Sequence, residues 1–99
     1  MGDWYALELG DPLIASVTLA EIREEIAATT SAVADAPCAV FTRRDAGDLH
    51  CRVTAYFSPG AEGLARRYGA HVCAQPGYRG LELLAATEGG LDLFARAKA

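Results

Sequence analysis

Ninety-nine residues, 52% of them hydrophobic and 22% charged, suffice for one packed domain and are too apolar for a disordered chain. A formal net charge of −4 works against a broad phosphate-binding surface. No stretch approaches the roughly 18 uncharged apolar residues that a membrane-spanning helix needs.

The first ten residues, MGDWYALELG, have no basic region followed by an apolar run, so a secretory leader is not expected. Ala6 also stands where a myristoylation signal would carry Ser or Thr. The three cysteines are an odd number, sit in apolar surroundings and form no CxxC. That usage fits reduced thiols in the cytoplasm better than a disulfide framework. Charge is uneven: residues 1–35 hold seven acids and one arginine, whereas residues 36–99 hold six acids and eight bases. In one small domain, such asymmetry more often marks solvated faces than a partner surface. Twenty alanines leave the aromatic residues to supply much of the core's bulk.

Residues Trp4–Leu9 alternate imperfectly and stop at Gly10-Asp11-Pro12, which predicts a first strand. The segment SVTLAEIREEIAATTSAV reads as a helix. Thr18 with Glu21 forms a capping box and Val17 with Ile22 a hydrophobic staple. Leu19, Ile22, Ile26, Thr29 or Thr30, and Val33 recur at three- and four-residue steps as its apolar stripe. A hairpin follows, with strands Cys38–Arg43 and Leu49–Phe57 joined by Asp45-Ala46-Gly47-Asp48. Along its second strand Leu49, Cys51, Val53, Ala55 and Phe57 point one way, and His50, Arg52, Thr54 and Tyr56 the other. SPGAEGLARRYG predicts a second helix, capped by Ser58, with Pro59 at its first position and Gly69 closing it. Leu64, Ala65 and Tyr68 should face inward. AHVCAQ reads as a short fourth strand, ended by Pro76-Gly77. Leu81–Ala86 suits strand or helix equally, and Thr87 can cap a last helix.

The order is a βαββαβ series, an α+β ferredoxin-like split β-α-β sandwich with an additional C-terminal helix, in one domain spanning 1–99. In that arrangement both helices cover one sheet face and leave the other open. The open face would carry His50, Arg52 and Tyr56, with Arg43 near the hairpin turn and Trp4 or Phe41 adding aromatic surface. Such a face suits a protein partner, a second copy of the chain or a small ligand. The expected function is therefore a binding, regulatory or accessory domain that needs no cofactor, with binding residues His50, Arg52, Tyr56 and Arg43.

Two other chemistries compete with that reading. Cys51, His71 and Cys73 could build a metal- or thiol-dependent enzyme. His50 and Cys51 leave opposite faces of one strand, however, and the third and fourth strands should have the first between them. Only His71 and Cys73 would share a face, and their spacing is unlike that of paired zinc ligands. Arginines on a sheet could instead bind single-stranded nucleic acid, but that signature needs a glycine and several aromatics on this strand, and LHCRVTAYF does not match it. The glycines of SPGAEG could favour an anion at the second helix, yet they form no P-loop and are explained by capping.

Overall fold

The computed structural model describes residues 2–29, 37–47, 51–87 and 89–91. In chain order they form β1 (Trp4–Gly10), α1 (Pro12–Thr29), β2 (Ala39–Ala46), β3 (Cys51–Phe57), a 3₁₀ turn (Pro59–Ala61), α2 (Glu62–Arg67), β4 (His71–Cys73) and β5 (Leu81–Ala86). The strands make one antiparallel five-stranded sheet in the order β4-β1-β3-β2-β5. The fold is thus α+β. The ambiguous LELLAA segment is a strand, which pairs with the edge of β2 from Ala39↔Ala86 to Arg43↔Leu81.

Helix α1 begins seven residues before the start that a Thr18 cap implies. Asp11 is the cap: its Oδ1 accepts a 2.8 Å bond from Leu13 N, and its carbonyl accepts another from Ala15 N. Pro12 takes the first helical position, where its missing N–H costs nothing. Thr18 and Glu21 consequently lie inside the helix rather than boxing its start. The early start also places Leu13, Ile14 and Val17 on the solvent side, 83%, 72% and 65% exposed, so Val17 staples nothing. The rest of the stripe is as expected, with Ile22 and Ile26 fully buried and Leu19 packed beside them. Val33 lies outside the described residues.

The β2–β3 ladder runs on through Asp45↔Arg52 and Ala46↔Cys51. Asp45 and Ala46 therefore belong to the strand, not to the turn assigned to them. His50 and Leu49 lie outside the described residues. After β3, Ser58 starts the 3₁₀ turn, and Ala61 N donates to its carbonyl at 2.8 Å. Its hydroxyl does not cap that turn; it accepts from Ala39 N at 3.0 Å. Thr87 acts in parallel, its Oγ1 accepting from Cys38 N at 3.0 Å. Two buried hydroxyls thus satisfy consecutive amides at the entrance to β2, where an unpaired N–H would be costly. Thr87 also caps a helical turn at 89–91, as the sequence predicts: Gly90 N reaches Oγ1 at 3.3 Å and Leu91 N the carbonyl at 3.0 Å. The rest of the expected C-terminal helix falls on residues outside those described.

Both helices cover the same face of the sheet. Ile22 and Ile26 of α1 and Ala65 of α2 pack with Tyr5, Val40, Ala55 and Phe57. Leu64 and Tyr68 join them from α2, as expected. Glu25 and Arg67 form an ion pair that ties one helix to the other.

The second face is covered around Trp4 and Phe41, while Glu8, Arg52 and His71 on it remain exposed. Phe41 is 1% and Trp4 9% exposed, in a separate cluster with Ala39 and Leu81. Residues 74–80 connect β4 on one edge to β5 on the other, and they cross this face. Arg43, pointing out from β2, donates to the carbonyl of Gly77, and Pro76 is buried. The sequence gives no periodic signal for the path of this connection, which therefore roofs a surface that helix packing alone leaves bare.

Candidate binding site

Strand register determines what shares the second face. His71, Ala6, Tyr56, Phe41 and Leu83 stand in one row across all five strands. Cys73 and Trp4 are partners in the row beside it, and Glu8, Thr54, Arg43 and Leu81 make up the row on the other side. Trp4 and Phe41 meet with ring centroids 5.9 Å apart and planes tilted by 35°, close to the offset arrangement that aromatic quadrupoles favour. The Arg43 guanidinium lies over the Tyr56 ring at 5.5 Å, within cation–π range.

Arg43 and Tyr56 therefore act together, although not as an exposed stripe. They form a pillar under the 74–80 strap, which Arg43 holds through Gly77. The strap is braced further by Gln75 Nε2 donating to Tyr78 Oη at 2.9 Å and by Leu81 N donating to the Tyr78 carbonyl at 3.1 Å. Gly80 has φ +75°, a left-handed turn that only glycine adopts without strain, and it delivers the chain from the strap into β5.

Where the strap leaves β4 it walls a cleft of about 610 Å³. Trp4 and Cys73 line it from the sheet, Pro37 and Pro59 from the segments flanking β2 and β3, and Tyr78 from the strap, with Asp3 at the rim of β1. Gly60 also lines it, packed so closely that an added Cβ would lie 1.8 Å from the Pro37 carbonyl oxygen. That glycine lets the 3₁₀ turn approach the strand entrance and shape this side of the cleft. An apolar concavity of this volume with a few polar groups is the usual form of a small-molecule site.

Arg52 lies elsewhere. It shares a second cleft of about 640 Å³ with Glu8, Asp45 and Thr54, beside the irregularity in β1–β3 pairing between Glu8 and Gly10. Four residues separate it from Tyr56 along β3, about 13 Å at strand rise. Of the four residues expected to bind, the structure brings Arg43 and Tyr56 together, places Arg52 at the other end of the same face, and leaves His50 outside the described residues.

The thiols are dispersed. His71 and Cys73 share the second face, being partners of Ala6 and Trp4. Cys51 is on the helix-covered face with Val53 and Ala55, and β1 separates its strand from β4. Phe57 and Val72 both pair with Tyr5, so Cys51, at the far end of β3, lies about 20 Å along the strand direction from β4. Among the described residues, no three His, Cys, Asp or Glu side chains converge as metal ligands. Burial pushes the Cys38 and Cys73 thiols above their ordinary range, which disfavours the nucleophilic thiolate.

Sequence reasoning noticed Trp4 and Cys73 individually but missed the cleft. Its walls come from five separate stretches of chain, and no local pattern joins them. The available signal was the turn-rich segment AQPGYRG between two strands at opposite sheet edges. No family model, curated protein or solved structure matches this chain.

Proposed function

We propose that this protein is a small-ligand binding domain that acts without catalysis and takes its ligand in the cleft between Trp4 and the 74–80 strap. The observation that carries this reading is the cleft's lining of two aromatic rings and two prolines, which offers rigid apolar contact at little entropic cost. Arg43 and Tyr56 serve as positioning residues that hold the strap. Arg52, expected on the same face, belongs to this reading only as a neighbour at its far end. A ferredoxin-like topology is part of the proposal. It is supported by two split units, β3 lying between β1 and β2 and β1 lying between β4 and β3, with β5 as an added edge strand. A reducing, cytoplasmic setting is likewise part of the proposal, supported by the free thiols Cys38, Cys51 and Cys73.

Trp4 is the only tryptophan, so its emission reports on the cleft directly. Titration with a neutral aromatic probe, N-phenyl-1-naphthylamine, should change that emission saturably. Tyr78→Ala should weaken the response while the circular dichroism spectrum stays unchanged. Arg52→Ala should leave it as in the wild type. A linear, non-saturating response would contradict the proposal. If the protein instead self-associates through this face, Tyr78→Ala would alter the sedimentation coefficient and the probe would not bind.

A further inference from the structure

We infer that the ligand of the Trp4 cleft is a small organic cation, an alkylated ammonium group on a short apolar body. This rests on the proposed binding role of the cleft and adds the charge and class of what enters it. Among the described residues, Asp3 is the one acidic side chain in the lining, and no lysine, arginine or histidine lines the cleft. The Cys73 thiol, pushed up by burial, stays protonated and neutral there.

The remaining lining suits the same ligand. Trp4 and Tyr78 are the aromatic types whose electron-rich faces attract cations most strongly, and alkylated ammonium ions are the ligands such surfaces recognise because their desolvation cost is low. Pro37 and Pro59 offer apolar contact to the alkyl groups without a hydrogen-bond donor from proline nitrogen, which suits an ammonium carrying no N–H. The same sheet face already seats one cation on an aromatic ring, Arg43 over Tyr56. The chain's net charge of −4 adds a favourable long-range field for a cation.

Choline and its neutral carbon isostere, 3,3-dimethylbutan-1-ol, have nearly the same shape and differ in charge. Each is titrated into the full chain while Trp4 emission and backbone amide shifts are followed. Choline should bind more tightly by about fivefold or more, the scale of a partly exposed cation–π contact. The shifts should centre on Asp3, Trp4, Cys73 and Tyr78. In Asp3→Asn, a substitution at an exposed position, the preference should shrink. Equal affinities for the two ligands in the wild type would overturn the cationic assignment and leave the cleft as a neutral site. Binding of N-phenyl-1-naphthylamine without any response to choline would do the same. A chain whose Trp4 responds to none of the three ligands would overturn this inference together with the binding role beneath it.

Discussion

The two faces of this sheet are closed by different means. On one, two helices bury Ile22, Ile26, Val40, Ala55, Phe57 and Ala65 almost completely. On the other, a seven-residue strap, 74–80, crosses the sheet and is held at Gly77 by Arg43. The first closure is continuous apolar packing. The second is a few directional contacts, with a cleft lined by Trp4 where the strap departs from the sheet. Stability should therefore reside mainly on the helix side, and adaptability on the strap side.

Mutations should separate the two closures. Phe57→Ala empties a fully buried site between both helices and should cost about 3–5 kcal/mol in chemical denaturation, as aromatic truncation in a packed core does. An equal loss from Arg43→Ala would erase the distinction between the faces. Ser58→Ala strands the Ala39 amide at the entrance to β2 and should cost about 1–3 kcal/mol, the penalty of a buried unsatisfied donor. Restoration by Ser58→Thr would tie that loss to the hydroxyl.

Arg43→Ala should lower global stability by about 1 kcal/mol, a typical net value for a hydrogen bond together with a modest cation–π contact. Its characteristic effect should be local. Amide hydrogen exchange should accelerate at residues 76–81 while the amides of Val40, Ala55 and Phe57 keep their protection. Uniform acceleration would mean that strap and core open as one unit.

The smallest effect is alkaline. Burial raises the Cys38 thiol above its value in an unfolded chain, so above the ordinary thiol range the unfolded state loses its proton first. Stability is then fully present below that range and declines as pH rises through it. Cys38→Ala should flatten the decline in denaturation midpoint between neutral and alkaline pH; an unchanged slope would assign it to other groups.

Much of the sheet was legible from sequence because alternation is a strong signal wherever one strand face meets a core. Val53, Ala55 and Phe57 point to the helices while Thr54 and Tyr56 point away, as their spacing implies. Pro59 and Gly69 likewise mark the two ends of the second helical segment. The start of α1 is hidden in the sequence because Asp11-Pro12 serves equally as a turn and as a cap followed by a first helical residue. LELLAA was undecided because a short apolar run fits either state; the hydrogen-bonding edge of β2 decides it.

The candidate site was legible only in part. Alternation places Arg43, Tyr56 and Arg52 on one face, but it does not say that a connection passes over two of them. Residues 74–80 have turn chemistry without period, and the face such a segment crosses is decided by partners far away in sequence, here Arg43. The exposed Leu13, Ile14 and Val17 teach a related lesson. Their pattern suits burial, and only the tertiary position of the first turns of α1 shows that these side chains meet solvent.

Acrylamide quenching of Trp4 fluorescence tests the roofed face most directly, since this single indole reports on the surface under dispute. A covered Trp4 should be quenched far less in the native chain than after denaturation, with quenching rising in Arg43→Ala as the strap is released. A native chain quenched as efficiently as the denatured one would show that residues 74–80 do not cover this face, and the cleft with its proposed ligand would go with them.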